Sequence, residues 1–393
     1  MLTLFGSGKT TQALAAKVGD AIFFEDREDS YMDERGFWHH PSRLFDPARS
    51  SLEIPSPGIP PSHPLIQKAR HLISEYDYFA PTMPFSIWIS GTNGKTTTTK
   101  MLAHLLASKG AQAGGNVGTP LAELDEDAKI WILETSSFTL HYTQRAFPGI
   151  YLLLPISPDH LSWHGSLAAY EAAKLKPLSM MREGDVAIVP AKYADTPSKA
   201  HVVGYEDAND LAAYFDLNSA KLPFGGPFLL DALLALAAQK ILFGYADYET
   251  LQSFAIDPHK QEEFRDTLGR LWVDDSKATN IDATIQALKR YEGKKIHLIL
   301  GGDDKGVSLE PLFAHLKDVE IYAIGKAEGQ IEKLCAKYGL SCHSCGTLHK
   351  AVAAIKKRHD TNSVALLSPA CASLDQFAGY KERGELFKRY VLS

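Results

Sequence analysis

The chain is predicted to be an α/β protein of three domains, each built on a largely parallel sheet. Three observations predict this. Short apolar runs of buried-strand type alternate with helical segments. Two stretches interrupt the alternation: a Pro-rich one around 78–84, and one at 255–261 marked by Pro258. A length of 393 residues suits two or three domains. The predicted domains are 1–82, 83–257 and 258–393.

In the first domain, strand 3–5 runs into Gly6-Ser7-Gly8-Lys9-Thr10, followed by a helix over 11–18. Strand 21–24 is closed by Asp26 and Arg27, and strand 52–54 runs into Ser56-Pro57-Gly58-Ile59. The loop at 6–10 reads as a site for an anion such as a pyrophosphate, or as a structural turn, rather than as an ATP loop.

The second domain opens with strand 85–90, the run Gly91-Thr92-Asn93-Gly94-Lys95-Thr96-Thr97, and a helix over 97–109. Strand, glycine turn and helix aim backbone N–H groups and a helix dipole at an anion. Lys95 can then reach nucleotide phosphates, and the Thr96 hydroxyl can meet Mg²⁺. A full phosphate-binding loop has glycine where Ile89 stands. Strands are expected at 130–133, 150–154 and 186–189, with an apolar helix at 229–242. Glu134 directly follows a strand beside the loop, where a nucleotide-bound Mg²⁺ would be gripped. Asp159-His160 also follows a strand, so His160 is a candidate metal ligand or proton acceptor. Lys174, in a helical segment, reads from spacing alone as a surface lysine.

The third domain has strands at 271–273, 296–300, 321–324 and 364–367. The loops 274–280, 301–305 and 368–377 would place Lys277, Thr279, Lys305 and Ser373 on one rim, a set suited to a substrate with carboxylates. Cys342-His343-Ser344-Cys345 is a C-x-x-C, but the second half of a zinc site is missing, and 339–345 is read as a short strand.

Composition bounds the rest. Hydrophobic residues make up 45% and charged residues 22%, an ordinary globular balance. A net charge of −6 without a basic stripe argues against a nucleic-acid surface. No apolar run approaches a membrane span, and the first residues lack a secretory signal. Four cysteines in a chain this long make no disulfide framework. A cytoplasmic monomer with neither nucleic-acid nor membrane partners is expected.

The run 91–97, with Glu134-Thr-Ser-Ser-Phe138, Asp159-His160 and Ala173-Lys174, resembles the ATP-dependent Mur ligases. Their loop reads G-x-x-G-K-[ST], which accounts for Ile89. Asp275-Ser-Lys-Ala-Thr-Asn280, Gly301-Gly-Asp303 and 367–377 resemble the D-glutamate-adding branch. The resemblance implies a small Rossmann-like N-terminal domain, a central P-loop ATPase-like parallel sheet and a Rossmann-like C-terminal domain. It implies UDP-N-acetylmuramoyl-L-alanine and D-glutamate as substrates, ATP, and two Mg²⁺ sites. Lys95, His160 and Lys174 would be catalytic. Gly91 to Thr97, Asp231, Lys260 and Asp275 would meet ATP. Thr96, Glu134, His160 and a carbamylated Lys174 would hold metal. Gly8, Lys9, Thr10, Ser56, Gly58 and Asn116 would bind the UDP-sugar, and Lys277, Thr279, Lys305, Ser373 and Tyr380 the D-glutamate. Two positions depart from the family pattern: Asp231 replaces an asparagine, and Lys260 replaces an arginine after His259. The alternatives are another amide ligase of the superfamily, such as a folylpolyglutamate synthase, and a non-catalytic nucleotide-binding partner in cell-wall assembly.

Overall fold

A computed structural model describes residues 2–393. The described residues form three sheets, one for each sequence region. The first has the order β3-β4-β2-β1-β5, from Leu2–Phe5 (β1), Ala21–Glu25 (β2), Tyr31–Met32 (β3), Trp38–Pro41 (β4) and Glu53–Pro55 (β5). The central sheet is formed by Phe85–Ser90 (β6), Ala111–Gly115 (β7), Ile130–Glu134 (β8), Ile150–Leu153 (β9), Val186–Pro190 (β10) and His201–Tyr205 (β11). Its order is β11-β10-β9-β6-β8-β7, and every pairing in it is parallel. The third sheet has the order β12-β13-β17-β14-β15-β16, from Glu262–Arg265 (β12), Leu271–Asp274 (β13), Lys295–Gly301 (β14), Val319–Ile324 (β15), Cys342–Gly346 (β16) and Ser363–Leu367 (β17).

The chain divides into two compact units, one ending at Phe254 and one spanning Ala255–Ser393. The first two sheets belong to one unit because they share a core. Leu14 and Ala15 of the helix Lys9–Val18 lie in the same buried cluster as Leu121, Ala122, Trp88 and Trp131. In the second unit, separate clusters line the two faces of the third sheet.

Expected strands with aliphatic runs are present, and several quiet ones appear beside them. Ala111–Gly115 has no β-branched residue, and Trp38–Pro41 carries two histidines and a proline, so neither announces itself. The helix after the glycine loop starts at Lys95 rather than Thr97, and after Leu106 it tightens into a 3₁₀ turn, Ala107–Lys109. The strand expected at 339–345 is Cys342–Gly346, because Gly339 is the left-handed cap (φ 67°) of the preceding helix. Cys342 packs against one core cluster and Cys345 lies in the other. Residues three apart on a strand face opposite ways, so this C-x-x-C cannot close on a single ion.

Among the described residues, no helix is long and apolar enough to cross a membrane.

Candidate active site

The central sheet gathers the phosphate-loop candidates at its C-terminal edge. β6 lies between β9 and β8, with Ile89 paired to Glu134 and Ser90 to Leu153. The loop after β6 is therefore flanked by Glu134 on one side and the segment leading to Asp159-His160 on the other. Glycine is required at two points. Gly91 (φ 140°) lies so close to Leu154 that a Cβ would come within 2.5 Å of its side chain. Gly94 (φ 84°) caps the helix, and a Cβ there would meet Asp231 Oδ1 at 2.4 Å. Asp231 is buried on the helix Pro227–Phe243 and accepts from Thr98 Oγ1 at 2.9 Å, so it underpins the loop from below. Thr96 and Thr97 open the helix Lys95–Leu106, and Asn93 sits just before its cap.

Lys95 turns back onto its own loop. Its Nζ donates to Gly91 O at 2.9 Å and Thr92 O at 2.7 Å. Burial lowers its pKa, while the Glu134 and Asp159 carboxylates oppose that shift. The Thr92 hydroxyl meets Ser157 O and Tyr170 OH, each at 3.0 Å, which fixes the loop against the 155–157 turn and the helix Leu167–Met180.

Lys174 is not a surface residue. It is 1% exposed, and its Nζ donates to Gly91 O at 2.7 Å, with Ser90 Oγ at 3.4 Å. Burial first, and the Lys95 charge second, push its ammonium well below the ordinary lysine range. This corrects the reading from spacing alone. Tyr151 OH donates to Lys174 O at 2.5 Å and anchors that turn of helix.

Glu134 is 2% exposed. Its Oε1 accepts from Asn116 Nδ2 at 2.7 Å, and its backbone O accepts from Asn116 N at 2.9 Å and from Tyr76 OH at 3.3 Å. Its Oε2 is buried with no hydrogen-bond partner. A buried carboxylate oxygen with no donor is costly, and it fits a site for a hard cation. His160 is more open, with a side chain 41% exposed and a left-handed backbone (φ 52°). Its ring lies 4.8 Å from Phe138, and its Nε2 is 3.5 Å from Asp159 Oδ2.

A cavity of about 160 Å³ lies beside this edge. Lys9, Thr10, Pro57, Glu75, Tyr76, Asn116 and Thr139 line it, among others. It brings together Lys9, Thr10 and Asn116 from the expected UDP-sugar set, with Ser56 and Gly58 on the same loop as Pro57. Gly8 faces Ser56, since a Cβ there would come within 2.5 Å of Ser56 Oγ. Glu75 belongs to no motif that would mark it in the sequence. Burial raises its carboxyl from 4.5 to about 8, against the Leu121 and Ala122 N–H groups that it accepts.

In the second unit, the three expected loops follow β13, β17 and β14, which are neighbours in the sheet. Asp303 and Ala372 exchange two backbone hydrogen bonds of 2.9 Å, joining two of the loops. Arg383, fully buried, joins the third: it donates to Ser276 O at 2.8 Å, Ser276 Oγ at 2.9 Å and Cys371 O at 3.2 Å. Lys277 Nζ lies 4.3 Å over the Tyr380 ring. Thr279, Lys305 and Ser373 sit on the same three loops, Ser373 buried and Lys305 exposed. Asp275 is turned inward, accepting from Ser368 Oγ at 2.8 Å and Gln261 N at 3.2 Å, and burial raises its carboxyl to about 7. Lys260 pairs with Asp257 at 3.0 Å. His259, Glu262 and Asp274 cluster as metal ligands could, but Lys388 Nζ lies 2.6 Å from Glu262 and 3.8 Å from Asp274, so an ammonium already serves these acids.

A glycine turn beside a buried carboxylate suits a nucleotide site, and the class is that of the ATP-dependent amide ligases: the chain belongs to the Mur ligase family. The family model "Mur ligase middle domain" matches residues 89–221. Over 398 residues, and 99% of both chains, the protein is 54% identical to the UDP-N-acetylmuramoylalanine--D-glutamate ligase of Campylobacter jejuni subsp. jejuni serotype O:23/36 (strain 81-176). It is 48% identical to the same-named enzyme of Helicobacter pylori (strain HPAG1) over 421 residues, covering 100% of this chain and 99% of that one. The crystal structure of a MurF ligase from Thermotoga maritima in complex with ADP shares the fold, with a TM-score of 0.61 at 17% identity, covering 94% of this chain and 95% of that one.

Proposed function

We propose that this protein joins D-glutamate to UDP-N-acetylmuramoyl-L-alanine at the expense of ATP, in cytoplasmic peptidoglycan precursor synthesis. One observation carries the reading. Lys95 is folded onto its own loop carbonyls beside Glu134, whose Oε2 is buried and unpartnered. That pairing suits a phosphate with a Mg²⁺-binding carboxylate beside it. Relatives about half identical over the full length carry the name of this activity.

The residues take these roles in the proposal. Backbone N–H groups of 91–97 and Lys95 hold the β- and γ-phosphates. Thr96 and Glu134 would hold one Mg²⁺, and His160 with a carbamylated Lys174 would hold a second. Bound Mg²⁺ supplies neutralisation of phosphate charge. An amine must be neutral to add CO₂, and the lowered pKa of Lys174 provides that form. The sugar nucleotide occupies the cavity between 8–10, 56–58 and Asn116. Its L-alanine carboxylate attacks the γ-phosphorus and ADP leaves. The D-glutamate amine, held by Lys277, Thr279, Lys305, Ser373 and Tyr380, attacks the acyl phosphate. Phosphate leaves and the amine proton is lost. Asp231, Lys260 and Asp275 are assigned to ATP, Asp231 through its support of Gly94. The domains are 1–82, 83–257 and 258–393, acting as a monomer. Catalysis rests on positioning and charge neutralisation.

ADP release is expected only when UDP-N-acetylmuramoyl-L-alanine and D-glutamate are both present. Equal release without D-glutamate, or a preference for meso-diaminopimelate, L-alanine or L-glutamate, rejects the assignment.

A further inference from the structure

Trp163 has no part in the reading above, yet it touches two of its components. It lies on the short helix Leu161–His164, which begins directly after His160. Its indole Nε1 donates to Gly58 O at 3.0 Å. Tyr142 OH donates to the next carbonyl, Ile59 O, at 2.6 Å. The loop behind the cavity is thus held by two hydrogen bonds from one ring cluster. The Trp163 ring lies 4.5 Å from Phe138, tilted by 33°, and Phe138 stands 4.8 Å from the His160 ring. Phe138, Thr139 and Tyr142 all belong to the helix Ser137–Tyr142. Thr139 lines the cavity with Pro57, while Phe138 faces the rings.

We propose that Trp163 is a positioning residue that fastens loop 56–59 to the helix behind His160, so that filling the sugar-nucleotide cavity sets the orientation of the His160 imidazole. This rests on assigning the cavity to the sugar nucleotide. A ligand that orders Ser56 and Gly58 fixes the Gly58 carbonyl. The indole follows through its hydrogen bond, and Phe138 passes the constraint to His160. By linkage, a group that settles His160 must favour the sugar nucleotide to the same extent.

The test is Trp163→Phe, which removes the N–H donor and keeps a ring. UDP is titrated calorimetrically without ATP or metal, and tryptophan emission is followed in parallel. Trp88, Trp131 and Trp272 are fully buried and Trp38 is exposed, so a change at saturating UDP that vanishes in Trp163→Phe and persists in Trp38→Phe belongs to Trp163. Loss of one hydrogen bond should weaken UDP binding about fivefold. The KM for the sugar nucleotide and the Mg²⁺ requirement should rise together, with kcat and melting temperature little changed. Unchanged UDP affinity together with an unchanged emission response overturns the proposal. So does a fall in kcat and melting temperature at constant KM, which marks a merely structural residue. A wild-type protein that binds no UDP overturns the cavity assignment and this proposal with it. D-glutamate-dependent ADP release is measured on the same samples, so failure of the ligase reading shows separately from failure of the coupling.

Discussion

The chain contains two glycine turns of similar spelling, Gly6-Ser-Gly-Lys-Thr10 and Gly91-Thr-Asn-Gly-Lys-Thr96. Both join a central parallel strand to a helix, and both have a glutamate ending the neighbouring strand, Glu25 in one and Glu134 in the other. The glutamates differ in how they are satisfied. Glu25 accepts from Ser7 Oγ at 2.6 Å, His39 Nδ1 at 2.9 Å and Arg27 Nη1 at 3.0 Å. Burial alone would raise its carboxyl, but those three donors hold it below its ordinary value. Glu134 has only Asn116 on one oxygen and nothing on the other. The lysines differ as well: Lys95 is wrapped by its own carbonyls, while Lys9 is exposed at a cavity wall. Motif letters specify a turn that can face an anion; the neighbouring carboxylate decides whether a metal can join it.

The comparison can be broken by exchanging the weight of the two loops. The largest effect is expected for Lys95→Ala, a fall in kcat of about 10³-fold or more, since charge stabilisation on the transferring phosphoryl group is lost. Lys9→Ala should instead raise the KM for the sugar nucleotide by about tenfold, with a much smaller change in kcat. Steady-state kinetics of both variants decide it; similar losses would erase the distinction. Next comes Glu134→Gln, expected to raise the Mg²⁺ requirement by on the order of 100-fold. Glu25→Gln should leave that requirement alone and cost about 1–2 kcal/mol of stability through a weakened donor cluster. Metal titration of activity and denaturant melts separate the two.

Lys174→Ala should abolish most turnover, and a short-chain carboxylic acid should restore part of it if a carbamate is the working form. Incubation of wild type with ¹³C-labelled CO₂ should give a carbamate signal that the variant lacks. The last effect, confined to stability at high pH, concerns Glu75. Its folded value is raised from 4.5 to about 8, so the native state holds an extra proton between those values. Stability from this group is then lost as pH climbs through that window. Glu75→Gln should flatten the melting profile from pH 5 to 8 and gain on the order of 2 kcal/mol at pH 9. A variant that melts in parallel with wild type at every pH would refute the shift.

Much of this was legible because parallel strands buried on both faces spell themselves out, as Ile130–Glu134 and Ser363–Leu367 do. Edge strands such as Tyr31–Met32 lack that pressure. The phosphate loop, Glu134 and the three-loop rim could be found because a motif or a strand end marks them. Lys174 could be placed only by resemblance, since its burial depends on the distant Gly91 carbonyl. Arg383, Glu75 and Trp163 gave no signal at all. Each is a polar or amphipathic residue in a polar stretch, and each has a hydrogen-bond partner more than 40 residues away in sequence.

Arg383 bears on how the amino-acid choice proposed for this rim could be altered. One guanidinium spans the carbonyls of two rim loops, and the third is bridged to one of them through Asp303 and Ala372. A loop taken from a differently selective relative must keep its backbone in register with that guanidinium, because Ser276 O and Cys371 O accept from it in the interior. On the proposed assignment of this rim to the amino acid, selectivity is a heritable block: the three loops and one arginine are expected to transfer together.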